Sequence, residues 1–204
     1  MATKYGFSDI RDQLIKDLKG AYPTKWEDFQ SAKVLGEDVF GSPTPHPNAV
    51  LNLFEAQNVR FAIPFAAYRA SIGGFLALMS DEPGTVLPRR TLATTIHGMH
   101  VIRTLASRAW RSITYAGDLR RCPDKTCVLN VGTNSIEKWL DVLGKIYDLT
   151  VDERKGDVLS TPSLNHLFCP KCAKNVEAVH ATLRSIFWEK LASAFAVSDG
   201  WEGL

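Results

Sequence analysis

Two short pairs hold all four cysteines of this chain: Cys122 and Cys127 in a C-x4-C spacing, Cys169 and Cys172 in a C-x2-C spacing. Thiolates are soft ligands, and four of them brought to one point suit a tetrahedral zinc ion. The spacing of Cys169-Pro170-Lys171-Cys172 is that of a tight knuckle, and a strongly helical run follows it. A helix N-terminus directly behind a cysteine favours the thiolate, the form that binds zinc. The expected site is closed and structural, with Cys122, Cys127, Cys169 and Cys172 as ligands. It leaves no open position for water, which points away from metal catalysis. His166 and His180 flank the second pair, and either could stand in for a cysteine.

Other readings of the same residues stay open. Four cysteines also allow two disulfides. Met1 to Phe7 carries no apolar run behind a basic region, so no secretory signal is expected. The expected location is intracellular, cytoplasmic or nuclear, where thiols stay reduced. A redox C-x-x-C belongs near a βαβ unit, and none is visible. Free buried cysteines are the plain alternative to a metal site.

Beyond the cysteines the chemical signals are thin. The chain has no G-x-S-x-G nucleophile motif, no Gly-rich phosphate loop and no H-E-x-x-H. Gly73-Gly74 reads as a packing pair inside a helix. His97 and His100, three residues apart, share a helix face, but no third ligand stands near them in sequence. His46 falls in a Pro-rich loop, where solvation is expected. Arg103, Arg108, Arg111, Arg120 and Arg121 cluster between a long helix and the first cysteine pair. A basic face beside a zinc site could meet phosphates; a solvated helix face explains the first three equally well.

The elements that must position these groups are helical. Ser8 suits an N-cap, and Ile10, Leu14, Ile15 and Leu18 then recur at helical spacing until Gly20. A short second helix through Trp26 and Phe29 is expected. Residues 36–48 are rich in Gly, Pro and Ser and read as a loop. Asn48 is placed to cap a helix carrying Val50, Leu51 and Phe54. Phe61 to Met79 reads as a buried core helix with Pro64 in its first turn. From about Pro88 to Tyr115, Leu92, Ile96, Met99, Ile102, Ala106, Trp110 and Ile113 form one apolar stripe. A further helix with Trp139 and Leu143 follows a cap at Thr133 or Asn134, and residues 150–163 form a second polar loop. The last helix, from about Lys171 to Ala196, carries Val176, Val179, Leu183, Phe187 and Leu191 on its buried face. No convincing strand emerges. The expected fold class is all-α, about seven helices in one body, with 1–204 a single helical domain and the zinc-stapled part at about 117–204.

Composition sets the outer bounds. With 204 residues, 45% of them apolar, the chain can bury an ordinary globular core. A net charge of +2 supplies no global field toward nucleic acid or membrane. No apolar stretch is long enough to span a bilayer.

The ordered set of motifs resembles the region that follows the BTB/POZ domain in an expanded group of mushroom (basidiomycete) BTB-domain proteins. The likeness is carried by Phe7 to Trp26 (FSDIRDQLIKDLKGAYPTKW) and Ala49 to Ala70 (AVLNLFEAQNVRFAIPFAAYRA). It continues through Trp110 to Ile113 (WRSI) ahead of the C-x4-C pair, Phe168 to Cys172 (FCPKC), and the closing stretch Trp188 to Leu204. It covers nearly the whole chain. The resemblance implies a helical module with paired cysteines, attached to a domain that dimerises and recruits partners, some of them ubiquitin-ligase scaffolds. The expectation is the matching region without the BTB domain itself, and His97-Gly98-Met99-His100 stands where those proteins commonly carry charge.

The expected function is a non-catalytic protein-interaction or scaffold module with a structural zinc site, its partner another protein or a second copy. The alternatives are a nucleic-acid-binding regulator using the arginine face, and an all-α enzyme whose pocket uses His97, His100 or His180.

Overall fold

The computed structural model describes residues 8–31, 45–115, 122, 159 and 169–195. Among them are seven α-helices, one 3-10 turn and no strand: α1 Ser8–Ala21, α2 Trp26–Ser31, α3 Pro47–Ala56, the 3-10 turn Arg60–Ala62, α4 Ile63–Ile72, α5 Gly74–Leu78, α6 Arg89–Tyr115 and α7 Pro170–Ala194. The all-α expectation holds. The helix expected after Thr133, most of both loops, Cys127, Trp139 and His166 lie outside the described residues. The chain falls into two compact units, Met1–Gly98 with Leu191–Leu204, and Met99–Lys190.

In the first unit, α3 packs on α4. The cap of α3 differs from the expectation. His46, not Asn48, is the N-cap, and its Nδ1 accepts from the Asn48 backbone N–H at 3.2 Å. His46 is accordingly half-buried rather than solvated. Pro47 takes the first helical position, where a missing N–H costs nothing. The helix closes on Asn58, in the left-handed region at φ 53°. Val59 N–H bonds Phe54 O at 2.9 Å and Asn58 N–H bonds Glu55 O at 3.1 Å, the paired reverse bonds of a Schellman ending.

Freed from capping, the Asn48 side chain is buried and acts as a tether. Its Nδ2 donates to Ala77 O at 3.1 Å and Leu78 O at 3.4 Å, two carbonyls left open at the end of α5. One turn on, Asn52 Nδ2 donates to Gly84 O at 3.2 Å and Val86 O at 2.9 Å. The turn so held is braced by Ser80 and Thr85, whose hydroxyls lie 2.7 Å apart, and by Thr85 Oγ1 donating to Glu82 O at 2.9 Å.

An aromatic group forms the heart of this unit. Tyr22 meets Phe54 edge-on at 4.7 Å and Phe65 at 6.0 Å, and Phe29 meets Phe65 at 5.8 Å. Phe54 and Phe65 are each 2% exposed, and burial of such a side chain contributes about 1.5–3 kcal/mol. Burial raises the Tyr22 hydroxyl above its ordinary 10.0, against the smaller opposing pull of the Arg69 charge.

Two expectations fail here for physical reasons. Phe61 to Met79 is not one buried helix. Gly73 ends α4, and Gly74 adopts φ +79°, a left-handed conformation that a side chain resists. The chain therefore turns, and Phe75, Leu76 and Met79 emerge exposed, Leu76 at 86%. The glycine pair is a helix break as well as a close contact: a Cβ on Gly73 would lie 2.6 Å from the Ala77 Cβ.

The buried line of α6 is also rotated from the expected stripe. Thr91, Thr95 and Gly98 are buried in the first unit, and Ile102 and Ala106 continue the line in the second, while Leu92, Ile96 and Met99 are only half-buried. Small side chains let neighbours approach closely: the Phe195 ring lies directly over Gly98. Thr91 Oγ1 donates to Glu55 Oε2 of α3. On α1, Ile10, Leu14 and Ile15 lie on an exposed face.

In the second unit, α7 buries Cys172, Ala173, Phe187 and Trp188. Leu159 is buried as well, and its carbonyl accepts from Arg184 Nη1 at 3.4 Å.

Candidate metal centre

The start of α7 is built around two cysteines. Pro170 opens the helix, and Ala173 N–H bonds the Cys169 carbonyl at 2.9 Å, which makes Cys169 the N-cap residue. Cys172 then sits three positions on, in the first turn. Both sulfurs belong to the end of a 25-residue helix where unpaired N–H groups and the helix dipole favour negative charge. That first turn holds no acidic residue and carries Lys171. A helix end of this kind favours the thiolate form of a cysteine placed there.

Cys122 joins them from 47 residues away in sequence, its Sγ 3.5 Å from Cys169 Sγ. The three sulfurs of Cys122, Cys169 and Cys172 all lie within 4.8 Å of one another, and none is in a disulfide. Zn–S bonds of about 2.3 Å in a tetrahedron separate the sulfurs by about 3.8 Å, so the spacing matches what one ion requires. Cys122 and Cys172 are buried at 9% and 7% exposure, and Cys169 is half-buried. Among the described residues, this is the one group of three or more His, Cys, Asp or Glu side chains placed to share an ion. Three cysteines therefore lie close together and can bind a metal. Cys127, the fourth expected ligand, lies outside the described residues.

Of the other sequence candidates, His97 and His100 are not part of this cluster, and His166 lies outside the described residues. His97 and His100 are each exposed on α6. His180 belongs to α7, eight residues after Cys172 and so about 12 Å further along the helix. Of the arginine face, Arg103 is half-buried and Arg108 exposed. The side chains of Arg111, Arg120 and Arg121 lie outside the described residues.

Sequence reasoning missed the exposure of Leu53 on α3, of Phe75 and Leu76 on α5, and of Met79 and Val86 after it. The one signal available was Gly73-Gly74, whose second residue turns the chain. No described helix is long and apolar enough to cross a membrane.

Compared with protein-family models, with curated proteins and with solved structures, the chain gives no match.

Proposed function

We propose that this chain is a non-catalytic protein-interaction module, a helical body held by a structural zinc ion that presents an apolar surface to another protein. The observation that carries the reading is the exposure of Phe75, Leu76 and Met79, aimed outward by the Gly74 turn and held by the Asn48 and Asn52 tethers. Large apolar side chains grouped on neighbouring exposed elements mark interaction surfaces. The tethers hydrogen-bond the backbone that carries these side chains, so the group is presented by a fixed frame, which lowers the entropy lost on binding.

In this reading Cys122, Cys127, Cys169 and Cys172 hold the zinc. Three of these donors fit: the sulfurs of Cys122, Cys169 and Cys172 are soft ligands within 4.8 Å of one another, two of them buried, beside a helix end that favours negative charge. A closed four-sulfur site leaves no coordination position for substrate, so the ion serves the fold. The resemblance to the segment after the BTB/POZ domain of mushroom proteins supports the same reading, because it implies a helical module linked to an interaction domain. A reducing intracellular compartment is where such thiols persist.

The test is affinity purification from the source organism with wild type and Leu76→Asp side by side, together with the mass in solution of each purified protein by light scattering. The reading expects a stoichiometric partner, or a dimer, that the wild type holds and Leu76→Asp loses while keeping its helical content. A monomer whose recovered proteins are the same for both variants refutes it.

A further inference from the structure

We infer that the cysteine cluster is a peroxide-responsive clip: oxidation starts at Cys169, Cys122 resolves it, and a Cys122–Cys169 disulfide takes the place of the released metal. The release of an ion rests on the zinc reading above, whereas the pairing rests on geometry alone.

Access selects the first sulfur. A metal-bound sulfur is already a thiolate, so the exposure of each ligand decides which meets an oxidant. Cys122 and Cys172 are buried, and Cys169 is the half-exposed member. It sits at the N-cap, ahead of the helical backbone, where a small reagent can reach it.

Position selects the second. Cys122 Sγ lies 3.5 Å from Cys169 Sγ, so an approach of about 1.5 Å reaches the disulfide length of about 2.05 Å. Cys122 comes from a separate stretch of chain, 47 residues before Cys169. Cys172 is fixed in the first turn of α7, with its carrier helix shared with Cys169. Closing those two gives the competing C-x-x-C linkage, which peptide mapping distinguishes.

The step balances with a hydroperoxide as oxidant. The Cys169 thiolate attacks the peroxide O–O bond, giving the sulfenic acid and one hydroxide. The Cys122 thiolate then attacks the Cys169 sulfur, forming S–S and expelling a second hydroxide. Two thiolates lose two electrons, the peroxide gains them, and the divalent ion leaves because half of its ligands have lost their charge. Cys122 stays tied to the start of α7 across the same 47 residues. Oxidation thus exchanges one clip for another, and a thiol reductant reverses it.

The experiment treats the purified full chain with graded hydrogen peroxide and follows zinc with a chromogenic indicator, free thiols by titration, and linkages by non-reducing peptide mapping. The expected result is release of about one zinc ion with loss of about two thiols per chain, a first linkage joining the Cys122 and Cys169 peptides, and recovery of both on reduction. A first linkage between Cys169 and Cys172, or one containing Cys127, overturns the proposal. So does sulfinic acid without a disulfide, or retention of zinc at peroxide levels that oxidise free glutathione. If the purified protein holds no metal, the zinc reading fails, and the map of the same sample still decides the pairing.

Discussion

Replacing Gly98 with Ala tests the packing of α6 against a known opposing effect. A Cβ at this position would lie 2.4 Å from both Cδ1 and Cε1 of Phe195 and 2.8 Å from its Cγ. Carbon atoms in contact rest about 3.5–4.0 Å apart, so the ring must retreat by about 1 Å. Rotating the ring does not clear the clash, because Cγ is its root. Retreat is resisted: Phe195 is 2% exposed, and its N–H bonds Leu191 O at 3.2 Å. Overpacking of this kind costs about 1–3 kcal/mol. Alanine also gains about 1 kcal/mol over glycine inside a helix. The balance is a net loss of about 1 kcal/mol, or roughly 2–4 °C in Tm for a chain of this size. Urea denaturation of wild type, Gly98→Ala, Phe195→Leu and the double variant separates the two terms. With Leu at 195 the ring is gone, and Gly98→Ala should become neutral or stabilising by up to about 1 kcal/mol, a coupling that neighbours in contact show. If Gly98→Ala stabilises the wild-type chain by about 1 kcal/mol, the close approach is absent and the reasoning fails.

Removal of metal by a strong chelator should lower Tm by several degrees, because binding energy at a structural site is folding energy. Cys122→Ser or Cys169→Ser should reproduce the loss and abolish the chelator effect in calorimetry; a variant as stable as wild type refutes the staple. Gly74→Ala forces a side chain into φ +79° and should destabilise by about 1–2 kcal/mol, whereas Gly20→Ala, in open space on α1, should be neutral or stabilising in the same denaturation assay. Tyr22 is held above its ordinary 10.0 by burial, so the folded state keeps its proton where the unfolded state loses it. Its contribution is complete below pH 10 and is lost as pH rises through the folded value, with a slope of up to about 1.4 kcal/mol per pH unit that Tyr22→Phe should remove from the alkaline unfolding curve.

What the sequence disclosed and what it withheld divide along one physical line. Helix identity is a local property: the periodicity of Ile10, Leu14 and Leu18, or of Ile102 and Ala106, and the breakers around them, sufficed to give an all-α fold, with the ends of α1, α6 and α7 within a residue or two. Cys169 and Cys172 were legible for the same reason, since C-x2-C at a helix start is a local spacing. The convergence of Cys122 on them is not local; residue type suggested it, and only the fold brings sulfurs 47 residues apart to 3.5 Å. The stripe on α6 shows a subtler limit. Hydropathy ranks side chains by their aversion to water, and so it chose Leu92, Ile96 and Met99. Burial on a helix face also depends on how closely a neighbour can approach, and there Thr91, Thr95 and Gly98 win by being small. The same confusion of apolar with buried placed Phe75 and Leu76 in a core helix. A single positive φ at Gly74 reverses the side they face. An apolar run after such a break is thus weak evidence for a core. Where a partner surface is built from core-type residues, composition alone cannot separate the two, and the backbone turn ahead of it is what tells them apart.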